Sequence, residues 1–200
     1  GSKLSEEDAK MYEAVSVQFH SPSEHTRRGD HFPLEMQIIH RAEGTEGNED
    51  ILIVSFMFEE RNEDTPPSPF LDSIADSVPS VMSERTLKSV NLNLMSGLRS
   101  SYVRYKGSVT TPPCEESVQY MIMSQIQPAT AAQLKAFSDV TGSHGNARPT
   151  QPVAGRVVEF VDVTQFYQDQ WKPSDNFTRV ELELKLKNAA PIIVAEETWE

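Results

Sequence analysis

The sequence predicts a mainly β fold with short α-helices, on three observations. Strand-like stretches of about nine to eleven residues, alternating or almost wholly apolar, recur along the chain, as in "YEAVSVQFH", "ILIVSFMFEE" and "SVQYMIMSQIQ". They are separated by segments rich in proline, glycine and small polar residues, such as "SPSEHTRRGDHFP" and "NEDTPPSP". Helical spacing is confined to two short segments, with no internal repeat and no low-complexity tract.

In order along the chain, residues 12–20 alternate so that Tyr12, Ala14, Ser16, Gln18 and His20 share one face and Glu13, Val15, Val17 and Phe19 the other. "LEMQIIH" resumes an extended run after Pro33, and "ILIVSFMFEE" reads as a strand buried on both sides for most of its length. In "FLDSIADSVPSV", Phe70, Leu71, Ile74, Ala75 and Val78 recur at helical spacing and predict a short surface helix. "SYVRYKGSVTTPPC" and "SVQYMIMSQIQ" read as strands around a proline-stiffened loop. A second helix lies in "TAAQLKAFSDVTG", with Thr130 as N-cap and Gly142 closing it. From "HGNARPTQPVAGR" the chain is loop, followed by alternating tails such as "RVELELKLK".

At 200 residues and 38% hydrophobic content, the chain suffices for one core. No apolar run reaches the ~18 residues that a membrane-spanning helix needs. A net charge of -12 argues against a nucleic-acid partner, whose phosphates are met by clustered Lys and Arg. The carboxylate runs "SEEDAK", "EERNED" and "AEETWE" read as solvated surface.

The chemistry concentrates between residues 18 and 40. Gln18 and His20 lie two apart on one strand and point the same way, and Gln37 approaches from the next. Three same-face side chains on two strands suit a catalytic zinc, which takes three protein ligands and keeps one position for water. A neutral amide, however, is a poor zinc donor beside imidazole, and one strong ligand does not hold zinc. The residues are expected instead to close a hydrogen-bonded cluster of Gln18, Gln37, His20 and Glu35 with no unpaired buried group. His31 and His144, in turn-rich stretches, read as solvated.

Four motifs, "QFHSPSEHT", "PLEMQIIH", "YKGSVTTPPC" and "GNARPTQPVAGR", occur in the order and spacing of one family. From residue 12 to about residue 158 the chain resembles the α-type carbonic anhydrases, most of all the zinc-less carbonic-anhydrase-related proteins. The resemblance implies a large, twisted, mostly antiparallel central sheet. It places the family's three zinc-binding histidines at Gln18, His20 and Gln37, so two of three are lost. It assigns Glu24 and Thr110, beside Thr111, to the pair that orients zinc-bound hydroxide. Glu35 takes the place of the carboxylate that steadies the third ligand. Ile39, Ile53, Val109 and Tyr120 resemble the wall of the carbon dioxide pocket.

The resemblance thus implies a protein that is zinc-free, without cofactor and not an enzyme, since the family's chemistry depends on zinc lowering the pKa of bound water to about 7. The expected role is a binding or structural module with a protein partner, as a subunit of a larger assembly. Two alternatives are a weak zinc-dependent carbonic anhydrase, holding metal through His20 and Glu24 or Glu35, and a storage protein of the plant-tuber type. The family domain is expected over residues 1–160, lacking the family's upstream strands. Residues 161–200 are expected to form an extension carrying the interaction surface. In the family, a cysteine directly after "TTPP" pairs with an upstream one in secretory members. Cys114, the only cysteine, is therefore expected to bridge to a missing segment in the secretory pathway, an extracellular space or an organelle lumen. Asn176 in "NFT" is a glycosylation acceptor if the chain is secreted.

Overall fold

The computed structural model describes residues 11–47, 49–78, 90–96 and 100–162. Nine strands and two short helices form in the order β1 (Tyr12–His20), β2 (Thr26–Arg27), β3 (Asp30–His31), β4 (Leu34–Ala42), β5 (Ile51–Glu59), α1 (Pro69–Ile74), β6 (Tyr102–Gly107), β7 (Val118–Met123), β8 (Gln127–Pro128), α2 (Ala131–Thr141) and β9 (Glu159–Val161). Seven strands make one sheet in the order β1-β4-β5-β7-β6-β9, with β8 paired to β5, while β2 and β3 form a separate hairpin. Four pairings are antiparallel; β5 runs parallel to β7 and β8. The large, mainly antiparallel sheet expected from the sequence is present.

Alternation along the strands divides the side chains between two apolar clusters. On one face Val17, Phe19, Met36, Ile38 and Phe56 pack against Phe70, Leu71 and Ile74 of α1 and Leu134 and Phe137 of α2. The rings of Phe19 and Phe137 lie 4.8 Å apart. On the other face Ile51, Ile53, Met57, Tyr105, Val118, Tyr120 and Ile122 form a second cluster. Gln18, His20, Glu35, Gln37 and Ser55 belong by alternation to this second face, so the site has a rigid, apolar-backed floor.

One facing expected from the sequence is corrected. Ala14 packs with the first cluster, not on the face of Gln18 and His20. The register slips between Ala14 and Ser16, and such a bulge reverses every facing before it. The first helix is also shorter than its pattern: after six residues it tightens into a 3-10 turn, Ala75–Ser77. The expected domain limit after residue 160 falls inside β9, whose Tyr102↔Val161 pairing ties it to β6.

Helix α2 begins with a capping box. Thr130 accepts from the Gln133 N–H while the Gln133 side chain returns to the Thr130 N–H, and Gly142 closes the helix at φ 73°. Thr130→Ala is therefore expected to cost about 1 kcal/mol in urea unfolding. Among the described residues no helix is long and apolar enough to cross a membrane.

Candidate functional site

The centre of the site is Glu35, wholly buried on β4. The backbone N–H groups of Glu24 and His25 donate to Oε2 at 2.9 and 3.0 Å. On Oε1, Gln37 Nε2 donates at 2.9 Å and His25 Nδ1 lies at 2.7 Å. The other nitrogen of His25 meets the Tyr105 hydroxyl at 2.7 Å. Burial by itself pushes the Glu35 carboxyl up, but the His25 charge and hydrogen bonds, with His20 nearby, hold it well below the usual carboxylate range.

Glu24, also buried, behaves oppositely. Its Oε2 accepts from Gln37 Nε2 at 2.9 Å, and its Oε1 accepts the Arg148 N–H at 3.3 Å and lies 3.4 Å from His20 Nδ1. Desolvation raises its pKa, and the neighbouring Glu35 raises it further; His20, Gln37 and His25 offset this only in part. Tyr120 is pushed well above its usual value, first by burial and then by Glu24 and Glu35. It stays a phenol and donates to Ser108 O at 2.9 Å.

These partners fix which way two ambiguous side chains face. Gln37 Nε2 sits between two carboxylates, so an amide nitrogen must stand there, and Oε1 is turned away, buried and without a partner. The two groups near His20 Nδ1, the Asn146 carbonyl and Glu24 Oε1, are both acceptors at 3.4 Å. A ring proton therefore sits on Nδ1, and Nε2 is also buried and unpartnered. Asn146 is placed by a close approach of its loop. A Cβ on Gly145, at φ 65°, would stand 2.5 Å from Ser21 O. That approach lets Asn146 bond the Ser21 N–H and Phe19 O at 2.9 and 2.8 Å.

The closed cluster of Gln18, Gln37, His20 and Glu35 expected from the sequence is corrected accordingly. Gln37 does bond Glu35, but Gln37 Oε1 and His20 Nε2 stay unpaired, since the carboxyl groups of Glu24 and Glu35 take both donors of the amide. His31 is also not simply solvated: exposed on β3, it reaches Ser23 O at 2.5 Å. His25 and His40 are structural, the latter bonding Ile38 O and Leu52 O.

Gln18, Gln37 and Ser55 stand in one row across β1, β4 and β5, with Gln18 half-buried and Ser55 Oγ a further buried unpaired atom. Ile53 and Tyr120 are buried in the second cluster, with Ile39 and Val109 packed against it. Thr110 is buried and Thr111 half-buried, yet among the described residues Glu24 is bonded by Gln37 and Arg148, not by Thr110. Cys114 is half-exposed at φ 60°. Asn176 and the extension from residue 163 lie outside the described residues.

The zinc that the family holds on three histidines does not fit this donor set. The three positions offer one imidazole nitrogen and two neutral amides. Among the described residues no three His, Cys, Asp or Glu side chains are grouped to hold a metal ion. Three residues of the site carry no role expected from the sequence: Tyr105, Asn146 and Arg148, whose buried Nε lacks a partner. Tyr105 lies in a plain alternation, and the other two in a loop without periodicity, so only the "GNARPTQPVAGR" motif pointed to them.

Known proteins share this fold over part of their length. A family model described as eukaryotic-type carbonic anhydrase matches residues 1–162. A carbonic anhydrase of Klebsiella pneumoniae is 37% identical over 144 residues, 70% of this chain and 54% of that one. The solved Photobacterium profundum alpha-carbonic anhydrase superimposes with a TM-score of 0.64 at 31% identity, covering 76% of this chain and 66% of the other. A crystal structure of dioscorin complexed with ascorbate superimposes at 0.58 with 28% identity, covering 73% and 60%. The chain spans about half the length of the curated relatives it matches. These likenesses overturn the expectation that the protein is not an enzyme, because relatives at this identity carry the name of one.

Proposed function

From the membership of this chain in the eukaryotic-type carbonic anhydrase family, we propose that its pocket is a zinc-free binding site for a small hydroxylated acid. One observation carries the reading: two buried atoms, Gln37 Oε1 and His20 Nε2, have no partner, and Gln37 Oε1 is fixed as an acceptor by the two carboxyl groups on its amide nitrogen. Unpaired buried polar atoms cost about 1–3 kcal/mol each, so a ligand bringing hydroxyls is favoured there. Arg148 Nε, a buried donor without partner, suits the acidic oxygen of the same molecule. Ascorbate, bound by the related dioscorin, has this combination of hydroxyls and an acidic oxygen.

The test is titration of ascorbate into protein labelled with nitrogen-15 in its histidines. The His20 Nε2 resonance should move as that nitrogen gains a hydrogen-bond partner, while that of His25, already saturated, stays. No movement of the His20 signal at millimolar ascorbate would sink the reading. Zinc is measured on the same preparation, purified without chelator, and is expected well below one equivalent.

A second reading is favoured by the names of the relatives: a carbonic anhydrase that holds a metal through the two unpartnered atoms, His20 Nε2 and Gln37 Oε1. Near-stoichiometric zinc, with sulfonamide-sensitive hydration of carbon dioxide, would establish it in place of the first.

A further inference from the structure

A second hollow lies on the site-bearing side of the sheet and shares no residue with the polar centre. It has a volume of ≈ 250 Å³ and is walled by Phe32, Met57, Ile122 and Phe160, with Arg27 and Arg28 at its side. Met57 and Ile122 are buried in the second apolar cluster, whereas Phe160 on the edge strand β9 is 64% exposed. A large aromatic ring left in water beside an apolar hollow marks a place where a further apolar body lowers the free energy.

The two arginines define the rest of that body. Both are exposed on the β2–β3 hairpin, and among the described residues neither side chain has an ion pair or hydrogen bond. Asp30, the register partner of Arg27, makes no ion pair with it. In a chain of net charge -12, two adjacent unneutralised guanidinium groups run against the general field. Arg28 also occupies a costly position. The hairpin turns through Arg28 at φ 55° and Gly29 at φ 85°, a left-handed pair for which asparagine and glycine are the favoured residues. A long side chain kept there, at the edge of an apolar hollow, is an outlier of the sort that accompanies binding sites.

The geometry points to a site for a small amphipathic carboxylate, with a ring or short chain between Met57, Ile122 and Phe160 and its anionic head on Arg27 and Arg28. The volume lies just under the roughly 300 Å³ at which pockets for drug-sized ligands begin, so the apolar body is no larger than a bicyclic ring. Arginine suits the head because its fork meets both oxygens of a carboxylate. This site stands independently of what the polar centre binds.

The probe is 2-naphthoate, titrated into the full chain by calorimetry beside the uncharged 2-naphthalenemethanol, which has the same ring system. Naphthoate should bind at least tenfold more tightly than the alcohol, and added salt should narrow the difference. Arg28→Asn keeps a residue suited to the turn, and with Arg27→Gln it should weaken naphthoate about tenfold and leave the alcohol unchanged. Nuclear Overhauser contacts from the ring should fall on the methyl groups of Met57 and Ile122. Equal affinity for acid and alcohol, an unaffected double variant, or contacts elsewhere on the surface would each overturn the assignment.

Discussion

Glu35→Gln should lower the unfolding free energy by about 3–5 kcal/mol, read from urea titrations at pH 7. Glu35 is a wholly buried acceptor surrounded by donors: two backbone N–H groups on one oxygen, the Gln37 amide and His25 on the other. A glutamine there must set its own NH2 against one of these pairs, whichever way the amide is turned. Glu24→Gln is the matched control. Burial already disfavours the ionised form of Glu24, so a neutral isostere should cost no more than about 1.5 kcal/mol.

The pH dependence separates loss of charge from loss of shape. The Glu35 pKa is lower in the folded chain than its ordinary 4.5, so the folded state binds that proton less tightly than the unfolded state. Its contribution is then fully present above about pH 4.5 and fades as the pH falls toward the depressed folded value. The gap between the parent and Glu35→Gln should be level from pH 7 to 5 and narrow by up to about 1.4 kcal/mol per pH unit below that. Glu24 acts in the other sense, since its raised pKa makes the ionised form a cost at neutral pH that protonation relieves. A gap that stayed constant down to pH 3 would show that the charge on Glu35 contributes nothing to stability.

The parts of this site visible in the sequence were those set by strand periodicity. Period-two alternation placed Gln18 with His20 and set Glu35 beside Gln37 on the opposing strand, because pleating allows no other facing. It failed at Ala14, where a single extra residue in β1 reversed the face and left no mark in composition. The caps of α2 were legible because Thr130, Gln133 and Gly142 act on their own backbone neighbourhood. By contrast, the contact of Asn146 with Ser21 spans 125 residues and depends on a glycine allowing two loops to touch. No local pattern encodes such a contact. The unpaired atoms were hidden for a related reason. Whether Gln37 can satisfy both ends of its amide depends on Glu24 and Glu35 converging on one nitrogen, a property of the folded arrangement alone.

Gln18→His combined with Gln37→His is expected to raise bound zinc to about one equivalent, measured by elemental analysis on protein purified without chelator. The surroundings are already arranged for it. Glu35 is held ionised beside position 37, and a carboxylate accepting the far N–H of a ligating imidazole fixes the ring and strengthens its donor. His20 Nδ1 is flanked only by acceptors, which leaves Nε2 as the nitrogen free to meet a metal. Positions 18 and 37 are direct partners in the β1–β4 register, so the two new rings start from one point on the sheet. The gain should be large because zinc that binds only the folded state stabilises it by mass action, about 4 kcal/mol at a thousandfold excess over Kd. The melting temperature of the double variant should therefore rise with added zinc, while that of the parent and of Gln18→His alone should not. A double variant that folds, by its circular dichroism, and yet neither retains zinc nor gains stability from it would mean that the three side chains do not converge. In that case the amides at 18 and 37 are not simple replacements in an otherwise intact metal site.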